Sequence, residues 1–90
     1  LLGSQFKKLL VFVDGNHRYD ATMHYIRLCL HCKAEEMLII MDDIHWSEGM
    51  ERAWKDITHM EEVRVSIDLF FHGILLFKNT LHKQDLIVRF

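Results

Sequence analysis

Two continuous apolar runs, residues 8–13 and 37–42, contain no polar alternation, and each ends in acid. LLVFV leads into Asp14, Gly15, Asn16 and His17; MLIIM leads into Asp42, Asp43, Ile44 and His45. Short apolar runs of this kind fit strands covered on both faces, as in a parallel sheet with helices above and below. Between them Tyr19, Met23, Ile26 and Leu30 recur at helical spacing, with Arg18, Asp20, His24, Arg27 and Lys33 largely elsewhere, which predicts an amphipathic helix over about 19–32. Ser47 can cap a second helix, with Glu48 and Glu51 near its positive end and Met50, Ala53, Trp54 and Ile57 as its buried stripe. This helix fades near His59.

Further on, Val63, Val65, Ile67 and Leu69 alternate with Arg64, Ser66 and Asp68, the pattern of a strand with two different faces. The run Ile74 to Phe77 follows His72-Gly73, which predicts a hairpin, and Leu86 to Phe90 adds a last short strand. The predicted order is β-α-β-α-β-β-β in one α/β domain spanning 1–90, parallel strands first and an antiparallel hairpin after them. A crossover of roughly 30 residues from Asp14 to Asp42 suits a βαβ unit. Such a unit sets both acid clusters at one sheet margin, the side on which open α/β sheets bind ligands.

Composition narrows the function. With 90 residues and a net charge of −2, the chain has no electrostatic footprint for nucleic acid or an anionic membrane. No apolar run approaches the roughly 20 residues that span a bilayer, and no secretory signal is evident. Cys29 and Cys32 read as cytosolic thiols, which points to a cytoplasmic protein. Cys29-Leu30-His31-Cys32 places two thiols on one helix turn, but a structural zinc site needs four ligands and no second pair is present. His17, His24 and His31 recur every seventh residue and read as solvated imidazoles.

FVDGNH after an apolar strand, DDIHWSEGMERAW after the next, and VSIDLFFHGILLFK followed by LIVRF resemble the C-terminal half of class I S-adenosylmethionine-dependent methyltransferases. The likeness is to the small-molecule O-methyltransferase-like group, particularly bacterial members, and it runs over nearly the whole chain. DDIHWS is its most specific piece. The resemblance implies the fourth to seventh strands of a seven-stranded Rossmann-like sheet in three layers, and methyl transfer to an oxygen of a small acceptor. It places Asp14 and His17 beside the cofactor, and Asp42 and His45 at the acceptor as catalytic residues. By the same likeness Asp14, Asp42 and Asp43 would hold a divalent ion, for which hard oxygen ligands suit Mg²⁺. Such an ion would lower the pKa of an acceptor hydroxyl.

The family's Gly-rich first loop and its ribose-binding acid have no counterpart here, so the chain reads as a fragment, inactive by itself. Half a sheet also exposes the edge of its first strand, which must be covered, pair with a second copy, or invite aggregation. Two other functional classes follow from the same residues. One is a non-catalytic, truncated remnant that dimerises through that edge; the other is a metal-dependent hydrolase in which the Asp and His cluster activates water. The bland readings are helix caps and solvated loops for Asp14, Asp42, Asp43, His17 and His45, and packing under a loop for Trp46.

Overall fold

The computed structural model describes residues 8–13, 18–32, 34–78 and 80–89. Its elements are β1 (Lys8–Val13), α1 (Tyr19–Leu30), β2 (Glu36–Asp42), α2 (Glu48–Thr58), β3 (Val65–Asp68), β4 (His72–Leu76) and β5 (Gln84–Ile87). The order matches the hydrophobic pattern. Ser47 caps α2 as its position suggests, its Oγ accepting from the Met50 amide at 3.2 Å.

The five strands form one mixed sheet in the order β1-β2-β4-β3-β5. β1 and β2 are parallel, with Val13 opposite Met41, and are joined by α1. β4 runs antiparallel to both β2 and β3, and β5 returns parallel to β3. The reversal between β3 and β4 falls at residues 69–71, where Leu69 N donates to His72 O at 2.8 Å. It therefore precedes His72-Gly73 instead of occupying that pair. Gly73 lies inside β4, and a Cβ there would strike the six-membered ring of Trp54. Its role is close approach between sheet and helix.

The core lies on one side of the sheet. Val13, Met37, Ile39, Met41, Leu75 and Phe77 meet Met23 and Ile26 of α1 and Met50, Ala53, Trp54 and Ile57 of α2, with Ile44 and Val63 closing the ends. Full burial of an Ile such as Ile39 or Ile57 contributes about 1.5–3 kcal/mol. The helices also touch each other: Tyr19 Oη donates to Asp56 Oδ2 at 2.6 Å, and the Arg52 guanidinium sits 4.2 Å from the Tyr19 ring centre.

Cover on both faces, expected from the continuous runs of β1 and β2, is not what the described residues form. Their two helices pack on one face, giving two layers instead of three. The strand register puts Leu10, Leu38, Leu76 and Val65 in one row of the opposite face, and Phe12, Ile40, Ile74 and Ile67 in the next. At the β1 edge Leu10 is 70% and Phe12 58% exposed. Polar pairs bound this apolar band: Lys78 with Glu36 at one end, His72 with Asp42 at the other. β3 shows the converse, for its polar Ser66 and Asp68 point to the helix side and are buried.

Candidate functional site

The C-terminal ends of β1, β2, β3 and β5 and the start of β4 share one margin of the sheet. Three connections meet there. The segment after β2 supplies Asp43, His45 and Trp46, the β3–β4 reversal supplies Phe70 and Phe71, and the segment after β5 supplies Arg89. Backbone bonds join them, since Asp43 N donates to Phe71 O at 2.7 Å and Val88 N donates to Asp68 O at 2.9 Å.

His45 is the centre of this arrangement. Its Nδ1 lies 2.9 Å from Glu51 Oε2, in the first turn of α2, and its Nε2 lies 2.7 Å from Asp68 Oδ2, at the end of β3. An imidazole that donates from both nitrogens is the charged form. Burial opposes that charge, but the hydrogen bonds and fields of Glu51 and Asp68 outweigh it and hold the His45 pKa above its usual value. Burial likewise pushes Asp68 upward, and it is overridden by the Phe70 amide, His45 and Arg89, which together hold the carboxyl below its usual range. Phe70 N donates to Asp68 Oδ1 at 2.8 Å, and Arg89 Nη1 reaches the Asp68 carbonyl at 3.0 Å. The Phe70 ring stacks on His45 with centroids 5.3 Å apart.

Asp42 shares the margin but not this cluster. Its side chain belongs to the open face, where Oδ1 lies 3.3 Å from His72 Nε2, whereas Asp68 and His45 engage each other toward the helices. Asp43 adopts the left-handed region (φ 55°) and lines a small cleft with His45, Trp46, Phe70 and Phe71. Asp14 and His17 lie outside the described residues. The last described pair before Asp14 is Val13 opposite Met41, so the β1 and β2 ends face the same way, as the βαβ spacing implies.

For a proton-accepting role, His45 would have to release one of its two carboxylates, so the observed geometry suits holding more than proton removal. Among the described residues no three His, Cys, Asp or Glu side chains are grouped to hold a metal ion; Asp14, the third member of the predicted Mg²⁺ set, lies outside them. The described glycines are Gly49 in α2 and Gly73 in β4, and neither lies in a Gly-rich turn. Asp68, Glu51 and Arg89 are the members that sequence reasoning passed over. Asp68 read as one polar position of an alternating strand and Glu51 as helix-end charge; the signal was an acid on each side of a DDIH loop, legible only once the strands were placed.

A larger hollow of about 540 Å³ lies at the opposite margin, against Leu10, Leu38, Leu76, Lys78 and Leu81. It is mostly apolar, continues the uncovered face, and gathers no cluster of acids and imidazoles. Among the described residues no helix is long and apolar enough to cross a membrane. No known protein family, curated protein or solved structure matches the chain.

Proposed function

We propose that this chain is the acceptor-side portion of an S-adenosylmethionine-dependent O-methyltransferase, acting on an oxygen of a small molecule and inactive without a cofactor-binding partner portion. The observation that carries the reading is the margin itself. A parallel β1-α1-β2 unit and an antiparallel β3–β4 return give the ends of β1, β2 and β3 one margin, the side on which open α/β sheets bind ligands, with Asp42 on one face of the sheet there and His45 on the other. It is compatible with the βαβ unit that the likeness implies, whose DGNH segment lies outside the described residues. The uncovered apolar face adds support, since a larger sheet of this type carries helices on both sides.

In this reading Asp42 and Asp43 orient the acceptor, and His45, clamped by Glu51 and Asp68, fixes the loop that carries them. Calorimetry with S-adenosylhomocysteine tests it, on the chain alone and on any natural polypeptide in which the chain is embedded. Binding by the longer form, lost in Asp14→Ala, is expected; absence of binding by every form defeats the assignment. The β1 edge favours a second reading, a module that pairs with its own copy, because Leu10 and Phe12 are exposed along that edge. Gel filtration separates the two, since a clean monomer removes the pairing.

A further inference from the structure

Cys29 and Cys32 take no part in the sheet margin. Cys29 belongs to the last turn of α1 and is half-buried against the core, whereas Cys32 lies just past the His31 cap and is exposed. The backbone between them keeps a helical turn: Cys32 N donates to Cys29 O at 3.0 Å, and His31 has right-handed helical angles (φ −79°, ψ −13°). Helix geometry sets Cα atoms three residues apart at about 5 Å, inside the range of about 4.4–6.8 Å that a disulfide spans. The Cβ atoms at that spacing lie about 5–6 Å apart, against about 3.5–4.5 Å in a disulfide, so closure asks for a shift of about 1–2 Å. No helix or strand holds Cys32, so that one residue is free to make the shift. Its Sγ donates to Leu28 O across 3.9 Å, which turns the sulfur back over the turn that carries Cys29. A thiol is a weak donor, and little is lost when it leaves that carbonyl.

We propose that Cys29 and Cys32 are a modification site, a dithiol that closes to a reversible disulfide by exchange with a low-molecular-weight disulfide such as oxidised glutathione. Cys32 is the entry point because it is exposed. Its thiolate attacks one sulfur of the oxidant, forming a mixed disulfide on Cys32 and releasing one glutathione thiolate. The Cys29 thiolate then attacks Cys32 Sγ, so the Cys29–Cys32 bond forms and the second glutathione leaves. The protons lost by the two cysteines end on the two glutathione thiols, and the two electrons reduce the glutathione disulfide. Cys29 resolves and does not attack first, since burial and then the neighbouring Cys32 hold its thiol pKa above the usual value. Both sulfurs also sit at a helix C-terminus, where the dipole disfavours a thiolate. Fast dithiols lie instead at helix N-termini or beside cations, so this pair responds to an oxidant slowly and passes the bond to no other protein.

The test incubates the full chain with mixtures of reduced and oxidised glutathione, quenches with iodoacetamide, and weighs the tryptic peptide of residues 28–33, which holds both cysteines. Excess oxidised glutathione is expected to give a peptide two hydrogens lighter than the free dithiol and closed to iodoacetamide. Excess reduced glutathione should restore both thiols. In Cys29→Ser the reaction should stop with one glutathione on Cys32. In Cys32→Ser, Cys29 should take up glutathione about tenfold more slowly than Cys32 does in Cys29→Ser, as a half-buried thiol of raised pKa would. Amide shifts on oxidation should be confined to residues 27–32 and the start of β2, with α2 and β3 unchanged. A native chain that keeps the mixed disulfide, that cross-links to a second copy, or that oxidises only after denaturant melts α1 overturns the proposal. So does a Cys29 that reacts as fast as Cys32. Neither a methyl donor nor an acceptor enters the experiment, so its failure is distinguishable from failure of the methyl-transfer reading.

Discussion

Asp68 holds Nε2 of His45 at 2.7 Å across 23 positions of sequence, and this contact ties the segment after β2 to the end of β3. Because Arg89 and the Phe70 amide share the same carboxylate, one side chain anchors three connections of the margin. A carboxylate so engaged is a junction, and its neighbours inherit its pH dependence.

The sign of that dependence follows from the two shifts. The folded-state pKa of His45 is raised above 6.5, so its contribution is complete below that pH and is lost as pH rises through the folded value. The pKa of Asp68 is depressed below 3.8, so its contribution is present above that pH and is lost as pH falls through the folded value. The pair therefore supports the fold best between the two ordinary values. Thermal melting from about pH 5 to about pH 8 should show a decline in the native chain that is flattened in His45→Gln, and the His45 ring resonances should titrate above the usual imidazole range.

Gly73→Ala should cost about 1–3 kcal/mol, the range for inserting a methyl group into a packed interior. The added Cβ would meet the Trp54 ring and lie 3.0 Å from Ile44 Cγ2. Chemical denaturation measures the loss, and a smaller ring substitute at Trp54 should recover part of it if the collision is the cause.

Lys83 reaches back to the end of α2, its Nζ donating to the carbonyls of Thr58, Met60 and Val63 at 2.7, 2.8 and 2.6 Å. These carbonyls follow or close the helix, where a cation is favoured by the dipole as well as by the bonds. Lys83→Met keeps the aliphatic stem and should cost about 1–2 kcal/mol, with the largest loss of amide exchange protection in β5 and residues 58–63.

Phe12→Lys should leave stability nearly unchanged, because the ring is 58% exposed on the uncovered face. It should lower both the binding of a hydrophobic dye and light scattering at high protein concentration, since a charge on an edge strand blocks edge and face association. Unchanged dye binding would mean the open face is not where the dye docks.

Much of this architecture was legible in the sequence. The β1 and β2 runs, the Ser47 cap and the Met50, Ala53, Trp54, Ile57 stripe declare themselves because they depend on local periodicity. The side of the sheet on which a helix lies is not local. Leu10 and Val11 are equally apolar, yet Val11 packs toward the helices and Leu10 does not, because both crossovers return on the same face. Ser66 and Asp68 misled for a related reason. Polar positions of an alternating strand normally face water, but these are 3% and 7% exposed and are satisfied by Asp85, His45, Phe70 and Arg89. Those partners come from elements far along the chain, and no spacing rule finds them. The parallel pairing that turns the ends of β1 and β2 to one margin was readable from the βαβ spacing; the separation of Asp42 from His45 by the sheet itself was not.

The position of β4 between β2 and β3 has a temporal consequence. As the polypeptide leaves the ribosome, β1, β2 and β3 can all have emerged while the two sides of the sheet still lack the strand that bridges them. Only when His72–Leu76 is free can both rows of backbone hydrogen bonds close. The nascent chain must therefore hold an unzipped apolar surface until that strand emerges, and a stall just before that bridge would leave its most adhesive intermediate waiting in the cell.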